Sequence, residues 1–198
     1  MITIKNNNKS KPYQELRRYY KKALNLEQKN IEAILISSYS KTLKEVDSRL
    51  VNLKFVDNKN FVFFSNYESA KSKQFSSHSQ ISAVIFWNEA NVQIRMKANI
   101  AKIPYKDSDK YFKERNKSKN ALAISSNQSR EIKSYSEVCD KYKETLEGRN
   151  LEIRPDYWGG YYFIPYYFEY WEGHKSRLNH RVAYVFENNN WLSSTLEP

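Results

Sequence analysis

The side chains with chemistry to offer are cations and amides, and they are scattered along the chain. Arg49 and Lys54 bracket one apolar stretch, and Lys71 and Lys73 lie two residues apart. Gln93 alternates with apolar residues, Arg115 stands alone, and Gln128 and Ser129 follow a short polar run. Arg177 and Arg181 lie near the C-terminus. Guanidinium, ammonium and amide groups from distant segments can converge on a phosphate, because charge-assisted hydrogen bonds to its oxygens are strong. Other chemistries lack their residues. There is no glycine-rich phosphate loop, no GxSxG and no HExxH. His78, His174 and His180 lack metal-ligand spacing, and a single cysteine, Cys139, excludes an internal disulfide and a cysteine-based zinc site. No metal is expected. Taken singly, each cation also fits a solvated basic surface. Residue type therefore leaves two readings open, a phosphate site or a lysine-rich exterior.

Composition sets the scale. The 198 residues suit one domain, and 40% hydrophobic residues with 15% aromatics supply a core, which excludes wholesale disorder. The formal net charge of +11 favours an anionic partner: nucleic acid, acidic membrane or a phosphorylated small molecule. No stretch has the length of an apolar membrane span, and residues 1–11 are polar with no secretory h-region, so the cytoplasm is the expected compartment. The aromatics fall at strand and core spacing rather than on an exposed stacking surface, which argues against a nucleic-acid partner.

The elements follow from periodicity. Residues 1–11 read as a mobile leader and residues 12–198 as a single domain. Pro12 opens a helical pattern through Leu16, Tyr19, Tyr20, Ala23 and Leu24. Strands are expected over residues 33–39, 49–55 and 61–65, with a hairpin turn at 57–60. A helix follows over 67–77 with Ser69 as candidate N-cap, then strands over 81–87 and 91–103. In the latter, Val92, Ile94 and Met96 face one way and Gln93, Arg95 and Lys97 the other. Helices are expected over 107–115 and 134–147, the second ended by Gly148. An aromatic strand over 157–170 and strands over 177–186 and 191–194 close the chain. Six or seven strands and three or four helices without βαβ alternation point to an α+β fold, a mostly antiparallel barrel with peripheral helices.

At the C-terminus, Trp158-Gly-Gly160, Glu169-Tyr-Trp171, Arg177-Leu-Asn-His-Arg181 and the ending Trp191 to Leu196-Glu-Pro198 resemble the WGGY, EFW, RLHDR and W…L.P signature of the pyridoxamine 5'-phosphate oxidase family. Upstream, Arg49 to Lys54 is similar to that family's RxVLLK strand, and Phe63 to Asn66 with Glu68 to Lys71 is similar to its FYTN…SRK segment. Phe86-Trp87 with Val92 to Arg95, Tyr111-Phe112 with Arg115, and Ser126 to Ser129 match further pieces in the same order. The resemblance covers Pro12 to Pro198.

It implies a split β-barrel homodimer with FMN at the subunit interface. The implied reaction oxidises pyridoxine or pyridoxamine 5'-phosphate to pyridoxal 5'-phosphate, with O2 as acceptor and H2O2 as product. Carried over by motif, Arg49, Ser65, Lys71, Gln128 and Ser129 would hold the FMN phosphate and ribityl groups. Lys54, Gln93, Trp171 and Arg181 would contact the rest of the flavin. Lys54, Tyr111 and Arg115 would bind the substrate phosphate, and Arg177 would lie over the substrate ring as the catalytic contact. The chain departs from the pattern at four positions. Asn179 replaces the histidine of RLHDR, Ala70 replaces the arginine of SRK, Lys119 stands at a substrate-phosphate serine, and Ala98 replaces a strand glycine. Lys73 and Lys119 are candidate compensations, and most of the family's longer N-terminal arm is missing. Two alternatives follow: a divergent flavin oxidoreductase acting on another ring, or a non-catalytic binding protein.

Overall fold

The computed structural model describes all residues, Met1–Pro198. Its elements run β1 (Thr3–Lys5), α1 (Lys11–Asn25), β2 (Ala33–Ser40), β3 (Glu45–Asn52), β4 (Phe55–Asp57), β5 (Asn60–Asn66), α2 (Ala70–Ser77), β6 (Gln80–Trp87) and β7 (Val92–Lys102). There follow α3 (Tyr105–Glu114), α4 (Lys117–Ser125), α5 (Tyr135–Gly148), β8 (Trp158–Glu172), β9 (His180–Glu187) and β10 (Asn190–Leu196). One sheet runs β1-β4-β5-β8-β7-β6-β2-β3, with β9 and β10 branching from β8. Every pairing is antiparallel except β1 with β4. The sheet curls into a half-barrel around Ile34, Ile36, Phe61, Phe63, Trp87, Ile94, Phe163 and Phe168, and the helices are peripheral. This is the α+β fold expected from the sequence.

The alternation read in β7 holds. Val92, Ile94, Met96, Ala98 and Ile100 are buried, while Arg95, Lys97 and Asn99 point outward. In α1 the buried face is Tyr13, Leu16, Tyr19, Tyr20 and Ala23, at the spacing of one helical stripe, and Pro12 occupies the first turn, where its missing N–H costs nothing.

The curl has a local cause in β8. Its first half pairs with β5 and its second half with β9, while β7 follows it on the other side from Tyr161 to Glu172. The register with β7 slips between Lys97 and Ala98, which oppose Tyr167 and Pro165, so Tyr166 is the extra residue. Proline has no N–H to give the ladder, and the resulting bulge bends the strand from one partner to the next. Gly160 sits where the sheet closes on its neighbours. A Cβ there would meet Ile103 Cδ1 at 2.3 Å and Phe64 Cε1 at 2.9 Å. Gly160→Ala should therefore destabilise the fold by about 1–3 kcal/mol, measured by urea or thermal unfolding.

Four expectations are corrected. Residues 1–11 are not a loose leader. Ile2 is buried, β1 adds a parallel strand to β4, and the Tyr20 hydroxyl donates to the Ile2 carbonyl at 2.9 Å and accepts from its N–H at 3.0 Å. The single strand over 49–55 is two, because the chain changes partners. Leu53 N–H donates to Glu32 O, and Lys54 N–H donates to Val62 O, each at 2.8 Å. Lys54 thus stands at the handover between β2 and β5 as neighbours. The helix expected over 67–77 begins only at Ala70, with Ser69 at its N-cap position. Helix α4 has too weak an apolar stripe to be read from its sequence. It is started by Asn116, whose side chain accepts from Ser118 N–H at 2.9 Å.

Candidate active site

The handover at Lys54, the end of β5 and the start of α2 lie against α3 and α4, and a cleft of about 320 Å³ opens between them. Lys54, Ser65, Lys71, Tyr111, Arg115, Lys119 and Gln128 line it, together with Phe64, Asn66 and Trp158. Four of these side chains are cationic, and no carboxylate lines the cleft.

Lys71 is the most telling. It is only 8% exposed, and its Nζ donates to the hydroxyls of Ser65 and Ser69, each at 3.1 Å. Both partners are neutral and one N–H remains open. Burial, reinforced by the nearby Arg49 guanidinium, pushes its pKa down to about 8. A buried ammonium without a counter-ion is costly unless an anion completes it. Lys54 is likewise held below the ordinary lysine range, by burial and then by Lys119 and Arg115, against an opposing pull from Glu32. Burial also lowers Arg115 and raises Tyr111.

Aromatic packing fixes the far wall. Tyr111 stacks on Phe64 with centroids 3.8 Å apart and planes 12° apart, and Phe64 stacks in turn on Trp158 at 5.3 Å. The Arg115 guanidinium lies over Trp158 at 4.9 Å. Tyr111 and Arg115 are one helical turn apart, so the same wall orients both.

Arg49 stands behind the cleft. Its Nη1 donates to Ser38 Oγ at 2.7 Å and to Ile36 O at 3.2 Å. Its Nη2 donates to Asp47 and, at 2.9 Å, to Gln74 Oε1. Ser129, in a left-handed turn with φ 69°, lines an adjoining polar cavity of about 610 Å³ that shares Gln128 with the cleft.

The remaining candidates gather elsewhere. Gln93, Trp171 and Arg181 are register partners across β7, β8 and β9, on the outer face of the sheet. Glu169, two residues from Trp171 and 3% exposed, anchors Arg181. Its Oε1 accepts from Arg181 Nε at 3.1 Å and Nη2 at 2.8 Å, and its Oε2 accepts from Arg95 at 3.1 Å and from the Tyr167 hydroxyl at 3.0 Å. Burial opposes the charge of Glu169, but the hydrogen bonds from Arg181 and Tyr167 and the two guanidinium charges outweigh it and lower its pKa.

Arg177 lies on the exposed loop before β9, in a left-handed conformation with φ 59°. Asn179 Oδ1 accepts from the His174 N–H at 3.1 Å, across the same loop. Within one chain, then, the structure joins Lys54, Ser65, Lys71, Tyr111, Arg115 and Gln128, with Arg49 and Ser129 adjoining. It does not bring Gln93, Trp171, Arg177 and Arg181 to them. Lys73 is exposed on α2 and does not line the cleft, whereas Lys119 does. Sequence reasoning missed Ser38, Gln74 and Glu169, whose roles come from partners distant in the chain. Trp158, which the sequence offered only as part of a motif, proves to be both core and cleft wall.

The family model described as pyridoxamine 5'-phosphate oxidase matches residues 29–147, more than half of the chain. The chain belongs to the pyridoxamine 5'-phosphate oxidase family. A second model, the pyridoxine 5'-phosphate oxidase C-terminal dimerisation region, matches residues 158–198. The pyridoxine/pyridoxamine 5'-phosphate oxidase of Haemophilus influenzae is 38% identical over 153 residues, 77% of this chain and 73% of that protein. That of Paraburkholderia phytofirmans is 36% identical over 180 residues, 86% and 84%. Among solved structures, PhzG from Burkholderia lata, in complex with tetrahydrophenazine-1-carboxylic acid, superposes with a TM-score of 0.88 at 22% identity, covering 96% of this chain and 93% of that one. A pyridoxamine 5'-phosphate oxidase-related, FMN-binding protein from Nostoc punctiforme gives 0.79 at 11% identity, covering 96% and 99%. These two likenesses establish the oxidase-family split-barrel fold. No helix of the chain is long and apolar enough to cross a membrane.

Proposed function

We propose that the protein is an FMN-dependent oxidase that converts pyridoxine or pyridoxamine 5'-phosphate to pyridoxal 5'-phosphate, with O2 as acceptor and H2O2 as product. The observation that carries this reading is Lys71, a buried ammonium with two neutral hydroxyls as its partners, in a cleft whose charged side chains are all cations. That donor set fits a phosphate.

Arg49, Ser65, Lys71, Gln128 and Ser129 hold the FMN phosphate and ribityl chain. Lys54, Gln93, Trp171 and Arg181 hold the rest of the flavin. Of the second group, Lys54 lines the cleft, whereas Gln93, Trp171 and Arg181 lie apart from it in one chain, and Trp171, Arg177 and Arg181 fall in the segment that matches the dimerisation region. A homodimer that apposes the outer face of one subunit to the cleft of the other completes the site. Lys54, Tyr111, Arg115 and Lys119 take the substrate phosphate, and Arg177 covers the substrate ring. The bound flavin supplies the hydride acceptor, while the protein orients the substrate and neutralises its charge.

Asn179 favours a second reading, in which the flavin site is kept and another ring is oxidised. Its side-chain oxygen already caps its own loop, and unlike the family histidine it carries no titratable proton. One experiment decides between them. The FMN-loaded, desalted protein should lose its oxidised-flavin absorbance on anaerobic addition of pyridoxine 5'-phosphate. A protein that stays yellow with that compound but bleaches with another ring compound establishes the second reading, and a colourless protein that retains no FMN sinks both.

A further inference from the structure

Arg49 reaches its place through a residue of another element. Gln74 lies on α2, three residues after Lys71 and on the same side of the helix. Its Oε1 accepts two hydrogen bonds, from Ser38 Oγ on β2 at 2.5 Å and from Arg49 Nη2 on β3 at 2.9 Å. Ser38 Oγ in turn accepts from Arg49 Nη1 at 2.7 Å, which closes a three-membered network. Ser38 is 2% and Gln74 7% exposed, so water does not compete for these groups.

We propose that Gln74 is a positioning residue of the anion site: its buried amide fixes the Arg49 guanidinium to β2 and sets it relative to Lys71, so that both cations meet one phosphate. The proposal rests on the reading of this site as the FMN phosphate site. The physical requirement is specific. Arg49 and Lys71 repel, and they come from a strand and a helix that no backbone ladder joins. Asp47 also binds Arg49, but its side chain is 53% exposed, and it adds a negative charge beside the place where the phosphate must sit. A neutral amide orients the guanidinium without that repulsion. It also leaves Nε–H as the one guanidinium donor without a partner.

The test compares FMN with riboflavin, which differs in lacking the phosphate. Flavin-free, full-length protein is titrated with each, and the quenching of flavin fluorescence gives the two affinities. Gln74→Leu should lower FMN affinity about tenfold or more, the worth of one hydrogen bond to a charged group. It should leave riboflavin affinity unchanged. In an Arg49→Ala background the same substitution should have no further effect, because its influence passes through Arg49. Equal weakening of both flavins, or a full additional loss in the Arg49→Ala background, overturns the proposal. So does an FMN preference that Gln74→Leu leaves intact, which would spare the FMN reading itself. If the unmodified protein binds FMN no better than riboflavin, the phosphate reading falls and the proposal with it. Should Gln74→Leu fail to fold, Gln74→Met, which keeps the length of the side chain, is titrated in the same way.

Discussion

Replacing Lys71 with methionine should make the ligand-free protein more stable while abolishing the preference for a phosphorylated flavin that the proposed assignment gives it. Lys71 is buried, and its pKa sits at about 8 rather than the ordinary 10.5. The sign follows from proton counting. Between these two values the unfolded lysine holds a proton that the folded one has released, so the residue's contribution to stability rises with pH across that interval. Below about pH 8 its full charging penalty weighs on the folded state. Removing the charge relieves about 1–2 kcal/mol at neutral pH, once screening and the lost serine hydrogen bonds are discounted. Tm should rise by a few degrees, of order 2–4 °C per kcal/mol for a chain of this size. The gain should shrink towards zero as pH approaches the ordinary lysine range. FMN affinity should fall about a hundredfold, the worth of a desolvated charge-assisted contact, while riboflavin affinity is retained. Thermal scans of wild type and Lys71→Met across pH 7–10, together with the two flavin titrations, check both halves. A variant less stable than wild type at pH 7 would show that Lys71 is already paired in the flavin-free protein.

Glu169→Ala should produce the opposite pattern. The carboxylate sits between Arg95 and Arg181 with a tyrosine hydroxyl on its flank. Its removal leaves two guanidinium groups facing each other. Because Arg95 and Arg181 keep 49% and 24% of their exposure, the loss should fall at the low end for a broken buried pair, about 2–3 kcal/mol. That corresponds to a Tm lower by about 5–10 °C. The pKa of Glu169 is lowered in the folded state, so its contribution is complete above the ordinary glutamate range and is lost as the pH falls through its folded-state value. Wild type and variant should therefore converge in stability on acidification. On the proposed assignment Arg181 contacts the flavin away from its phosphate, so Glu169→Ala should weaken FMN and riboflavin alike. The same titrations thus separate the two ends of the cofactor: Lys71 shifts the ratio of the affinities, and Glu169 shifts both together.

Much of the molecule was legible before its structure. Alternation in Val92–Lys102 identified the buried face of β7, because a strand side chain has only two directions to point. Three- and four-residue spacing after Pro12 identified the buried stripe of α1 for the corresponding helical reason. The types of Arg49, Lys54, Lys71, Arg115 and Gln128 left a phosphate site and a solvated basic surface both open, and their order, with Tyr111, pointed to the first only through the resemblance to the family. These are local or type-based properties, and they survive in any sequence-level reading. What the chain's order could not reveal was partnership. The break at Leu53-Lys54 depends on which strand each half pairs with, and the docking of residues 3–5 depends on an edge that β4 offers only after folding. The depressed pKa of Lys71 depends on burial and on the nearby Arg49 guanidinium, which together outweigh the opposing pull of the Asp47 carboxylate. The roles of Ser38, Gln74 and Glu169 depend on hydrogen bonds between residues that are 11, 25 and 12 positions from the arginines they hold. Sequence by itself determined which chemistry the chain carries and which faces it buries. Only the tertiary structure decided which cations share one cleft, because a desolvated charge takes its energy from its neighbours in space rather than from those along the chain.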